Sequence, residues 1–442
     1  MSESKDSSVQ AQTVRPTRWR RILLPVCLIL VGGGVWAGIE IWNAERAFNR
    51  GRLLLRQDRD VEAERELEHY LRWHPHNPKA ILLWAEAVIK GDSRTARDAA
   101  ELAISGLKKI PDASPLGAEA RMREGRLAFL ILQQPGRAET LLLRSAELRH
   151  DLPDTHYLLW KLLDMTERYH YSEAHFWNIY ELTPTGNKAE RLREWYLSQF
   201  SPGSANADLD RHMGFLASGE SASEATENLR LSQFLANEPE SSMVVAAYAR
   251  WLLHARERDQ AADLLKNFPA FDTALGDPSF VSVLVDLMID LGRLDEARLY
   301  FDRWPLPRDG FLYWHTAGRV FEIIERDDKS AVDAYDRALS VWPGPAEWSV
   351  MHRRAQCLSR LGDRLNAELG RQESKRIELL MDTDVHKKLR LVLVDLKSVD
   401  TLKQMVSFYT ALHRSREAKC WQSELDRLIS LPARSRLRPL AL

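Results

Sequence analysis

The stretch from Pro278 to Gly310, PSFVSVLVDLMIDLGRLDEARLYFDRWPLPRDG, constrains the fold more than any other part of the chain. Val281, Leu284, Val285 and Met288 recur at three- and four-residue steps, which puts them on one face of a helix. After a break at Leu291-Gly292-Arg293 the spacing resumes with Ala297, Phe301 and Trp304, and Pro305 and Pro307 then end the segment because proline cannot continue a helix. Two short helices joined in this way hold too little apolar surface to bury alone. The pair needs neighbours of its own kind.

Such neighbours are present. Val245, Tyr248, Ala249 and Leu252 are followed by Ala261 and Leu265. Trp314, Ala317, Gly318 and Phe321 are followed by Ala331, Tyr335 and Pro343, with one extra residue in the turn near Asp327-Asp328. At the amino end Ala47, Arg50, Gly51 and Leu54 precede Ala63, Leu67 and Pro75, with Arg50 a polar departure. This order of large, small and large residues, answered by an Ala in the next helix, resembles the tetratricopeptide repeat. Its second-helix alanines would be Ala63, Ala99, Ala138, Ala174, Ala225, Ala261, Ala297, Ala331, Ala367 and Ala418. They follow one another at 36, 39, 36, 51, 36, 36, 34, 36 and 51 residues, mostly near the family period of about 34. Each long interval makes room for one more helix, at 187–200 and in the amphipathic segment 373–396.

The resemblance implies an all-α fold, a right-handed superhelical α-solenoid of helix-turn-helix pairs. The copies divide into a first array at 44–200 and a second at 201–432. A joint is expected in the weakly apolar SPGSAN and ASGESASEAT stretches that follow residue 200, and 433–442 is a short basic tail. Tryptophans are numerous, but Trp304 and Trp342 stand at repeat ends, where a large ring fills the gap between pairs.

Ahead of the repeats, residues 1–21 are polar and expected to be disordered. Residues 22–39 carry no charge, and Ile41 and Trp42 extend the apolar run. At about 1.5 Å per residue this is enough to cross a hydrocarbon core of roughly 30 Å, so 22–42 reads as a transmembrane helix preceding the solenoid. A cleaved signal peptide ending at Val35-Trp36-Ala37 is the alternative. Basic residues flank both ends equally, but Arg20 and Arg21 abut the apolar run, which favours a cytoplasmic amino terminus and repeats on the outer, periplasmic or extracytoplasmic side.

Function is narrowed chiefly by exclusion. Lysine plus arginine number 62 and aspartate plus glutamate 63, a balance that argues against nucleic acid as a partner. Cys27, Cys357 and Cys420 form no CxxC pair, which removes zinc-ribbon and disulfide-framework folds. Phosphate-binding glycine loops, HExxH and GxSxG are absent, so no catalytic residue, cofactor, metal or small-molecule substrate is expected. His74 and His76, and His170 with His175, read as turn residues rather than metal ligands. What remains is a membrane-anchored, non-enzymatic scaffold binding a protein or peptide. The alternative is an accessory or regulatory subunit of an envelope enzyme complex, as in cytochrome maturation or in lipopolysaccharide or polysaccharide export. By the resemblance, the groove-facing position of successive first helices is held by Arg250, Asp286, Arg319 and Gln356, flanked by His315 and His352. Arg250 and Arg319 would then hold acidic groups of the partner. Alternatively, the ladder pairs with itself across adjacent helices.

Overall fold

The computed structural model describes residues 40–430. The expected spanning segment 22–42 lies outside the described residues except for its last three, and segments 1–21 and 433–442 lie wholly outside them. Among the described residues no helix is long and apolar enough to cross a membrane, and no strand occurs. The chain forms two compact units that divide between Ile110 and Pro111, so residue 200, where the arrays were expected to separate, falls inside the second unit.

The first unit holds α1 (residues 40–55), α2 (Asp60–Trp73), α3 (Pro78–Lys90) and α4 (Ala96–Leu107). Helix α3 begins where the Asn77 side chain accepts from the Ala80 amide and Pro78 occupies the first turn; Thr95 caps α4 in the same manner. Close approach within the pairs depends on missing side chains. A Cβ on Gly51 would lie 2.7 Å from Leu67, and one on Gly106 would lie 2.3 Å from the Trp84 ring. Ala63 is fully buried opposite.

In the second unit the chain runs through α5 (Gly117–Leu130), α6 (Pro135–Leu148), α7 (Pro153–Met165), α8 (Ser172–Leu182), α9 (Lys188–Phe200) and α10 (Pro202–His212). It continues through α11 (Glu224–Asn237), α12 (Ser242–His254), α13 (Arg258–Lys266), the single turn α14 (Phe271–Ala274), α15 (Pro278–Asp290) and α16 (Leu294–Asp302). Last come α17 (Gly310–Arg319), α18 (Asp328–Ser340), α19 (Trp348–Arg360), α20 (Arg364–Leu380), α21 (Thr383–Val392), α22 (Val399–Ala411) and α23 (Ser415–Ser430). The extra residue expected before Asp328 is absorbed as a π-turn over Val320–Glu325, which widens the end of α17 by one residue. Helices α9 and α21 occupy the two long intervals.

The alanine register separates two kinds of helix. Ala138, Ala261, Ala297, Ala331 and Ala367 are fully buried between paired helices, and a Cβ on Gly318 would meet the Tyr335 ring at 2.4 Å. Ala174 and Ala225 are instead exposed and Ala418 is half-buried, because in α8, α11 and α23 the inward positions are Phe176, Thr226 and Glu417. Each still packs on its neighbour in the chain but turns other residues inward.

Their packing shows why. Helix α11 lies on the α5–α6 pair, with Phe129 and Phe234 rings 6.3 Å apart, and the Glu238 carboxylate accepts from the Gly136 and Arg137 amides at 2.6 and 2.9 Å, capping α6. Helix α7 packs on the α5–α6 pair as a following repeat would, α12 also reaches α6, and α8 and α9 extend from there to the carboxyl-terminal helices of the unit. The Tyr409 hydroxyl of α22 donates to Gln199 of α9 at 2.8 Å, and the Trp342 ring sits 6.2 Å from Trp195 and 6.1 Å from Phe200. Arg414 bridges Glu173 of α8 and Glu417 of α23, and Arg416 reaches Glu181 at 3.3 Å. Trp160, Phe176, Trp195, Tyr196, Tyr409 and Trp421 form one aromatic core from both ends of the unit. The α7–α8 turn and α9 thus lie against later helices of the unit, where an open groove was expected.

Of the two stretches expected to form a joint, SPGSAN opens helix α10, whose buried face is polar, and ASGESASEAT runs through a non-helical segment into the start of α11. Asp210, fully buried, accepts from Arg230 at 2.9 and 3.1 Å, while Lys161 donates to the Ala205 carbonyl at 3.2 Å. Without apolar periodicity, sequence pattern could not reveal it.

Candidate functional site

Where the α7–α8 turn meets the concave face, packing leaves a cavity of about 290 Å³. Tyr169 and His170 of that turn form one side, Arg250 and His254 of α12 and Asp286 and Asp290 of α15 the next. Phe311, His315 and Arg319 of α17 close the third side, with Glu347 and Ser349 at the start of α19. Three residues of the expected ladder, Arg250, Asp286 and Arg319, thus share one cavity with the flanking His315. His352 and Gln356 do not line it; they are exposed on α19 and hydrogen-bonded to each other at 3.0 Å.

The two arginines are held differently. Arg319 donates to Asp286 at 2.6 Å and to Asp290 at 2.8 Å, so its charge is met by two carboxylates inside the chain. Arg250 makes no ion pair among the described residues. It donates to the carbonyls of Glu167 at 3.2 Å and Ser279 at 3.5 Å, tying the α7–α8 turn to α12 and α15. The expected self-pairing of the ladder therefore holds for Asp286 and Arg319 only.

Burial fixes the protonation of the lining. Removal from water, with a small opposing pull from Asp286, lowers His315 to about 4, and its ring stacks on Phe311 at 5.6 Å. Burial, reinforced by nearby arginines, also lowers His170 and His254. All three imidazoles are uncharged at neutral pH. Desolvation alone raises Glu347 to about 7. Behind the turn, burial and the neighbouring Glu227 carboxylate push Glu167 up to about 8. The site is polar, with two guanidiniums set among three carboxylates.

Sequence spacing could have found Asp290, which lies one turn after Asp286 on the same face. The same holds for His254, one turn after Arg250 on α12, whereas nothing in the sequence marks Tyr169, which reaches the cavity from the α7–α8 turn, or Glu347 and Ser349 at the start of α19. His170 stands in the α7–α8 turn that the sequence predicts for it, and among the described residues no group of three His, Cys, Asp or Glu side chains converges as a metal site requires.

No protein-family model matches the sequence, and neither does any curated protein. Among solved structures, the chain is similar to the APC/C hetero-tetramer Cut9-Hcn1, with 12% identity, a TM-score of 0.35 and coverage of 89% of this chain and 76% of that one. It is also similar to the P58(IPK) TPR domain, at 13% identity, a TM-score of 0.24 and coverage of 89% and 99%. The human IFIT1 dimer with PPP-AAAA is a third, at 13% identity, a TM-score of 0.27 and coverage of 87% and 82%. These scores are low, and the fold stands on the packing described above.

Proposed function

We propose that the chain is a non-enzymatic interaction scaffold that holds a partner protein at the cavity lined by Arg250, Asp286, His315 and Arg319. His352 and Gln356 on the neighbouring exposed face of α19 extend the contact. The observation that carries this reading is the convergence of α12, α15, α17 and α19, from four successive pairs, on one polar cavity beside the α7–α8 turn. Convergent polar groups in a partly apolar recess are what recognition of a protruding side chain needs. In the same proposal residues 22–42 anchor the scaffold in a membrane with the repeats on the outer side. Service as an accessory subunit of an envelope enzyme complex is one setting for such a scaffold.

A photo-crosslinking residue at Ser349, exposed at the rim, should trap one defined protein in cells, and the same residue at exposed Ala225 should not. Identical products from both sites would refute the interaction reading. For the anchor, the full chain should resist alkaline carbonate extraction; recovery of a mature chain beginning at Gly38 would refute it in favour of a cleaved signal. A reporter joined after Leu442 should be active only outside the cytoplasm. Activity confined to the cytoplasm would reverse the orientation.

A further inference from the structure

At about 290 Å³ the cavity is at the lower limit of small-molecule pockets, which start near 300 Å³, so it suits a single side chain better than a cofactor. Its ionic groups are two guanidiniums, Arg250 and Arg319, and three carboxylates, Asp286, Asp290 and Glu347. Arg319 is shared between Asp286 and Asp290, and Arg250 is turned onto two backbone carbonyls. Glu347 stands apart. Its carboxylate has no hydrogen bond or ion pair among the described residues, and burial is the sole influence raising its protonation.

We propose that this cavity receives a basic side chain, lysine or arginine, of the partner protein, with Glu347 as its counter-ion. The proposal rests on the interaction-scaffold reading and deepens it. A cationic guest balances three carboxylates with three cations, and it supplies the hydrogen bonds that the half-buried Glu347 lacks. An acidic guest would be a fourth carboxylate beside Asp286 and Asp290. The three neutral imidazoles add no competing positive charge and offer ring nitrogens as acceptors; the Nε2 of His170 is buried and without a partner. The Phe311 and Tyr169 rings give the guest's methylene stem an apolar wall.

The test titrates the full-length chain in detergent with n-propylguanidinium, which is an arginine side chain without its backbone, using propionate and N-propylurea as controls. Calorimetry should show saturable binding of propylguanidinium alone, weakened at least tenfold by Glu347→Gln. Ser349→Trp, which blocks the mouth from an exposed position, should abolish it too, and covers the case in which the first variant fails to fold. Absence of saturable propylguanidinium binding, equal binding of propylurea, preference for propionate, or an affinity unmoved by Glu347→Gln would each overturn the proposal. Preference for propionate with crosslinking at Ser349 intact would leave the scaffold standing. Absence of crosslinking with propylguanidinium binding intact would overturn the scaffold reading and the partner protein as the source of the guest, leaving a cation site of another kind.

Discussion

Helices α15–α20 and helices α7–α10 lie in the same unit and are built on different physics. The first set packs by apolar stripes and missing side chains: Ala297, Ala331 and Ala367 are fully buried, and Gly318 lies under the Tyr335 ring. The second packs by large rings and buried charge. Trp160 donates to Ser198 at 2.9 Å, Ser198 in turn donates to Asp164, and burial raises that carboxyl to about 6 despite the nearby Lys161. A repeat can be added wherever its small residues fit the next pair. A segment that fills a groove must instead match the particular polar groups it meets, so α7–α10 are tied to one place.

The largest effect should come from breaking the buried pair that holds α10. Arg230→Met leaves Asp210 buried without its cation and should cost about 3 to 5 kcal/mol in denaturant unfolding. A loss below about 1 kcal/mol would show that α10 is not anchored this way. Next, Gly318→Val drives a side chain into Tyr335 and should cost about 2 to 3 kcal/mol. The register comparison is sharper still. Ala261→Leu, at a fully buried site, should be destabilising by about 1 to 3 kcal/mol, whereas Ala225→Leu, at an exposed one, should stay within about 0.5 kcal/mol. Equal costs would restore Ala225 to the ordinary repeat pattern.

The smallest effect is pH-dependent and belongs to the filled groove. Glu167 and Glu347 are raised to about 8 and about 7, so between pH 6.5 and 8.5 the folded chain binds more protons than the unfolded chain. Their contribution is complete below the unfolded carboxylate range near 4.3 and is lost as pH rises through the folded values. His315, His175 and His386, lowered to about 4, work in the opposite sense, and their contribution is already complete above about 6.5. The melting temperature should therefore fall from pH 6.5 to 8.5, and fall less in Glu347→Gln. A rise over that interval would contradict the assignment.

The helix pairs were legible in sequence because spacing alone places Val281, Leu284, Val285 and Met288 on one face, and all four are buried. Trp304 and Trp342 are buried at repeat ends as expected, though Trp342 also packs onto α9. Arg250, Asp286 and Arg319 were brought together only by the tetratricopeptide resemblance, and they line one cavity. What spacing could not show is contact between distant segments: Tyr409 with Gln199, Tyr196 with His386 at 2.9 Å, or Trp195 with Glu417 at 3.4 Å. Ala174, Ala225 and Ala418 fitted the interval arithmetic, yet their helices turn other residues inward. Periodicity reports how a helix packs on its neighbours in sequence, and in α8, α11 and α23 residues from elsewhere in the chain, such as Arg414 on Glu173, Phe129 on Phe234 and Trp195 on Glu417, share that packing.

The central claim is that the carboxyl-terminal pair α22–α23 closes on α8–α9. Spin labels at Glu181→Cys and Arg416→Cys, with Cys27, Cys357 and Cys420 changed to alanine, report it directly, because the native side chains are 3.3 Å apart. Pulsed electron paramagnetic resonance should give one narrow distance of roughly 20 Å or less. An open solenoid would separate the labels by several helix spacings of about 10 Å each, and a distribution centred beyond roughly 40 Å would contradict the filled groove.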